Sequence, residues 1–201
     1  MDNSKRLRPG RHQLSRDEVQ THQRDRIFAA LEVEMSVKGY GDTSVGDVVK
    51  AAGVSRQTFY ELFDSKRECF IASYERRQGA VIDWIFTTSS TDAPLVRFAS
   101  LLKAYLEVMS RRPEISLLYL SGIAAAGPEA AAIRVEKQQQ FVDGLANLFD
   151  AHTDRDLFAC RTLVAAISAL VINALVDPDP QAVQNLHAPL VDVAARLLDA
   201  E

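Results

Sequence analysis

Apolar residues return along this 201-residue chain every three or four positions, so it reads as helices throughout. Ser15-x-x-Glu18 opens the first as a capping box, and the helix runs to about Lys38, ahead of Gly39 and Gly41. Ile27, Ala30, Leu31, Glu34 and Met35 keep one mostly apolar stripe on it. A second, short helix starts on Thr43 or Ser44, with Asp47 as the return half of a capping box, and turns Val48, Val49 and Ala52 inward. Gly53 supplies the left-handed residue that ends it. Ser55 then caps a third helix, whose Phe59 and Phe63 fall at i, i+4 and point inward. Ser65-x-x-Glu68 opens a fourth, continued by Phe70, Ile71, Tyr74, Val81 and Ile85.

Beyond Thr87–Thr91 the pattern resumes with other lengths. Phe98, Leu101, Leu102, Tyr105 and Met109 mark one helix, closed by Arg111-Arg112-Pro113. Another spans Glu114 to Ala126, stopped by Gly127-Pro128, and a longer one runs from about Pro128 to Asp150. Thr153-x-x-Asp156 caps a helix that is apolar on almost every side from Leu163 to Val176, a composition that predicts burial all round. Asp177-Pro178-Asp179-Pro180 makes the turn into a last amphipathic helix, with Val183, Leu186, Leu190, Val193 and Leu197 on one stripe. The fold class expected is all-α, a three-helix N-terminal domain followed by a larger helical one.

The second and third helices, with the tight turn at Gly53, form a helix-turn-helix. With Phe59 and Phe63 turned inward, Arg56, Gln57, Thr58 and Tyr60 stand at the exposed front of a helix whose N-terminus favours anions. Such residues reach base edges and phosphates in the major groove, so the pattern points to binding specific DNA. Arg56 suits bidentate contact with guanine and Gln57 with adenine.

At these residues the chain resembles the TetR-type (TetR/AcrR) bacterial transcriptional regulators. The resemblance rests on Gln23-Arg24-Asp25-Arg26, Gly39-Tyr40, Thr43-Ser44-Val45, Ala52-Gly53-Val54-Ser55, Thr58-Phe59-Tyr60, Phe63 and Ser65-Lys66-Arg67-Glu68, and covers roughly residues 16–77. It implies a basic arm over 1–15, a DNA-binding domain over 16–65 and an effector-binding and dimerisation domain over 66–201. It assigns Thr43, Ser44, Ser55, Thr58 and Tyr60 to the DNA face beside Arg56 and Gln57, with Lys66 as phosphate anchor. Two positions depart from the pattern: Leu62 stands where the family often has His, and Glu61 lies outward, either accepting from a cytosine amine or pointing away. The fourth helix, joining reading head to ligand site, becomes the transmission element. The last two helices pair with those of a second copy, where Ala165, Ala166 and Ala169 permit close approach. A small-molecule effector would lie between the fourth to eighth helices, with Trp84, Phe98, Tyr105 and Tyr119 as candidate walls and Arg97 as charge partner. Each of these aromatics, taken alone, also reads as core.

Charge changes the picture only when divided. The net charge of −4 splits into +2 over residues 1–77 and −6 over 78–201. Lys5, Arg6, Arg8, Arg11 and Arg16 face only Asp2 within the first sixteen residues, so that tail either follows phosphates or the minor groove, or is a solubilising extension. Residues 1–18 are polar and basic, unlike a secretory signal, and the run Leu163–Val176 falls short of a membrane span. Cys69 and Cys160 fit a reducing cytoplasm. The four histidines (His12, His22, His152, His187) hold no metal-ligand spacing, and no phosphate-binding glycine loop or nucleophile elbow is present. The expectation is therefore a cytoplasmic DNA-binding repressor without cofactor, metal or enzymatic activity. The alternatives are an effector-independent architectural DNA binder and a regulator controlled by a protein partner.

Overall fold

The computed structural model describes residues 15–86 and 91–198, the side chains of Trp84 and Phe86 excepted. The basic arm expected over 1–15 thus lies outside the described residues, save for Ser15. Among them the chain forms nine α-helices and no strand: α1 (Arg16–Asp42), α2 (Val45–Ala52), α3 (Arg56–Leu62), α4 (Lys66–Phe86), α5 (Pro94–Arg111), α6 (Pro113–Leu120), α7 (Pro128–Phe149), α8 (Asp154–Leu175) and α9 (His187–Leu197). Two compact units divide between Tyr74 and Glu75, within α4.

In the first unit α1, α2 and α3 pack on one another. Ile27, Leu31, Val48 and Phe59 are fully buried, as are Cys69 and Phe70 from the start of α4. Ser15 and Glu18 close the expected capping box, and Gly39 breaks the helical path near the end of α1 with φ of +81°. That conformation strains any residue with a Cβ, which is why the helix proper ends at this glycine.

In the second unit one core gathers Phe98, Leu106, Val142, Leu163, Val171 and Leu190 from α5, α7, α8 and α9. Two boundaries differ from the sequence expectation. The helix expected over 114–126 ends at Leu120 and gives way to a 3-10 turn, Gly122–Ala126. Ser121 donates its hydroxyl back to the Leu117 carbonyl, and Gly122, a poor helix former, follows. The last α-helix begins only at His187, after a 3-10 turn at Gln184–Leu186. This start places Pro189 in the first turn, where its missing N–H is tolerated. The His187 ring nitrogen Nε2 lies 2.8 Å from the Ala99 carbonyl, pinning that start to α5.

α8 corrects the expectation of burial all round. Its Cys160, Leu163, Val164, Val171 and Leu175 side is buried, but Phe158, Thr162, Ala165, Ala169, Asn173 and Val176 follow one another along an exposed face. Phe158 is 69% exposed and Val176 67%. Val193, expected on the inner stripe of α9, is exposed as well. By length and composition alone α8, taken over all of Asp154–Leu175, is also sufficient to cross a membrane, which the shorter apolar run did not suggest.

Candidate nucleic-acid interface

The reading head is built from its caps. Ser44, not Thr43, caps α2: its hydroxyl accepts from the Asp47 N–H at 3.2 Å, and the Asp47 carboxylate accepts from the Ser44 N–H at 2.9 Å. The Ser44 hydroxyl also donates to the Asp47 carboxylate at 2.5 Å, and that bond, with the one from the Ser44 N–H and the Lys38 ammonium 3.0 Å away, holds the Asp47 carboxyl well below the usual carboxylate range. At the other end of α2, Gly53 adopts φ of +62° and a paired closure forms, Gly53 N–H to the Lys50 carbonyl and Val54 N–H to Val49. This Schellman arrangement reverses the chain within two residues and sets the angle at which α3 leaves. Arg26 of α1 donates to the freed carbonyls of Ala52 and Gly53, the latter at 2.9 Å. An arginine at a helix C-terminus is matched to the negative end of the helix dipole.

Ser55 caps α3, accepting from the Thr58 N–H at 2.9 Å, and its hydroxyl is 2.9 Å from that of Thr58. Phe59 and Phe63 are buried with ring centroids 5.7 Å apart, and Phe28 of α1 stacks on Phe63 at 5.5 Å. The helix is therefore clamped by one side, and its other side is presented. Arg56, Gln57 and Tyr60 are exposed, as the spacing predicted, whereas Thr58, expected beside them, is half-buried. Ser44 and Ser55 are exposed too. The start of α2 adjoins the front of α3: a Cβ built on Gly46 would stand 3.1 Å from Arg56 Nη2 and 3.4 Å from Ser44 Oγ. Polar side chains from both helix starts thus share one surface.

Two assigned residues, Thr43 and Lys66, are placed otherwise than the sequence suggested. Thr43 is a correction: it is 1% exposed and its hydroxyl donates to the Gly39 carbonyl at 2.8 Å, so its side chain shapes the α1–α2 corner and is not offered to DNA. Lys66 turns its ammonium onto the end of α1, donating to the carbonyls of Tyr40 at 2.5 Å and Thr43 at 2.7 Å, over the Tyr40 ring at 4.3 Å. Partial burial lowers its pKa, opposed by the charge of Asp42. Lys66→Met keeps the aliphatic stem and removes these bonds. We expect thermal denaturation to show a loss of about 2 kcal/mol, the scale of hydrogen bonds to a charged group; a lysine serving phosphate alone would leave stability unchanged. Glu61 accepts a hydrogen bond from Gln57 Nε2 at 2.9 Å.

The effector candidates occupy the second unit. Phe98 is a core residue, its ring centroid 5.8 Å from that of Phe149, and Tyr105 packs at the margin of the same cluster. Tyr119 is 2% exposed with the Arg77 guanidinium 5.3 Å over its ring. Arg97 is half-buried, and the side chain of Trp84 lies outside the described residues. Both cysteines are buried and their thiol pKa values are raised by that burial, which disfavours the reactive thiolate. Among the described residues no group of His, Cys, Asp and Glu is disposed to hold a metal ion.

Comparison with known proteins agrees with this geometry. Residues 27–73 match the family of bacterial regulatory proteins, tetR family. No curated protein sequence matches the chain. Among solved structures, a transcriptional regulator from Rhodococcus sp. Rha1 is 22% identical with a TM-score of 0.75, over 88% of this chain and 96% of its own. The fatty acid degradation regulator FadR from Bacillus halodurans is 18% identical with a TM-score of 0.74, over 85% and 96%. FadR from Bacillus subtilis, solved in complex with stearoyl-CoA, is 14% identical with a TM-score of 0.65, over 87% and 95%. At these identities the likeness is one of fold. The family match falls on residues 27–73, within α1 to α4, so the reading head is that of the tetR family of bacterial regulatory proteins, and the likeness along the rest of the chain is one of fold.

Proposed function

We propose that this DNA-binding regulator is a sequence-specific repressor, acting in the cytoplasm as a homodimer on a pseudo-palindromic operator and released by a small-molecule effector. One observation carries the reading. Arg56 and Gln57 stand exposed on the first turn of α3, whose opposite side is locked into the core by Phe59 and Phe63. Long polar side chains on a rigid mount are what base-edge recognition requires. Ser44, Ser55, Thr58 and Tyr60 flank them as phosphate or mixed contacts.

A palindromic site requires a second copy of the head, and the exposed face of α8 supports one. Ala165 and Ala169 lie at its middle, where small side chains let two helix axes approach closely. Ala165→Glu together with Ala169→Glu leaves the helix intact and puts charge in that contact. The expected result by sedimentation is a dimer dissociation constant raised about 100-fold or more, because an uncompensated buried charge costs about 3–5 kcal/mol. An unchanged dimer would remove α8 from the interface.

A regulator of this fold solved with stearoyl-CoA supports an apolar effector for the second unit here. Occupancy there would shift the populations of two head spacings, so that the recognition helices no longer match successive grooves. The test is release of a bound operator duplex by acyl-CoA thioesters set against free coenzyme A. Release by the thioesters alone supports an apolar effector; no release by any of them argues against it.

A further inference from the structure

The two long polar side chains at the front of α3 are not equally free. Gln57 Nε2 donates to Glu61 Oε1 at 2.9 Å across one helical turn, and both residues are exposed. A carboxylate only accepts, so this bond forms in one orientation of the Gln57 amide and opposes the other, which would set Oε1 against the negative charge. With one N–H engaged, Gln57 keeps its second N–H and its Oε1 for a partner. That donor–acceptor pair complements adenine, which offers N7 as acceptor and N6–H as donor in the major groove.

We propose that Glu61 is a positioning residue: it fixes the amide of Gln57 and thereby sets the preference for adenine at the base pair that Gln57 reads. The proposal rests on the reading of α3 as the recognition helix. It gives a role to an acidic side chain on a face where phosphates repel it. Glu61 lowers affinity for DNA in general and returns selectivity at one position.

The experiment is selection of bound sequences from random duplexes, at one stated salt concentration, with the native chain, Glu61→Ala, Gln57→Ala and the double variant. Alanine favours the exposed helix, so α3 is retained in all four. The position at which Gln57→Ala relaxes identifies the base pair read by Gln57. Glu61→Ala should reduce the adenine preference there by roughly 2- to 10-fold, the scale of freeing one immobilised side chain, while raising affinity for every duplex. In the Gln57→Ala background the same substitution should raise affinity equally and change no preference. An unchanged preference in Glu61→Ala overturns the proposal. So does a change that persists without Gln57, which would make Glu61 a direct reader. A native chain that enriches no sequence removes the recognition helix itself, and the proposal with it, a result distinct from the other two.

Discussion

Phe59→Ala should unfold the N-terminal unit, or bring it to the edge of unfolding, and abolish DNA binding with it. Phe59 is fully buried and touches Phe63 on its own helix, which Phe28 of α1 covers in turn. Truncating a buried Phe costs about 3–5 kcal/mol. A unit this small is held by a margin of similar size, about 0.05–0.15 kcal/mol per residue. Urea denaturation followed by circular dichroism should therefore show an early transition absent from the native chain. Val37→Ala is the matched control on α1, 79% exposed, with an expected change within about 0.5 kcal/mol. Equal effects from the two substitutions would contradict the packing described.

Arg56→Ala with Gln57→Ala should leave the fold intact and remove sequence discrimination. Both side chains are exposed, and neither contributes to the core that holds α3. A good bidentate base contact is worth about 1–3 kcal/mol of discrimination, so losing two in each half-site costs at least about 4 kcal/mol and lowers operator affinity by roughly 1,000-fold or more. Affinity for unrelated duplexes should fall far less, because phosphate contacts from the rest of the surface carry most of it. Titration of operator and scrambled duplex at equal salt checks both parts. A parallel fall on the two duplexes would show that these residues bind backbone only.

The reading head was legible because its geometry obeys local rules. Ser15 with Glu18, Ser44 with Asp47, Gly53 and Ser55 each act on residues within a turn, and each does in the structure what its spacing implied. Phe59 and Phe63 announce the buried side of α3 by the same short-range logic. What was hidden depends on contacts at corners and between elements. Thr43 looks like a cap but is sealed into the corner by the carbonyl of Gly39. Lys66 reaches back 26 residues to Tyr40, and Arg26 forward 26 residues to Ala52. No pattern within one helix encodes either bond.

The second unit shows a different limit. The apolar surplus of α8 is plain in its composition, but a helix buried on all sides and one with an exposed apolar face share that composition. Only the exposed line from Phe158 to Val176 separates the two. An aromatic at helical spacing fits a pocket wall and a core equally, and Phe98 and Tyr119 are buried as core residues are.

Selection of bound duplexes from random DNA by the native chain asks whether α3 reads base sequence. The expected result is an inverted repeat whose half-sites lie about one helical turn, or a multiple of it, apart. Binding without any enriched sequence would contradict it, and would leave an architectural DNA-binding protein in its place.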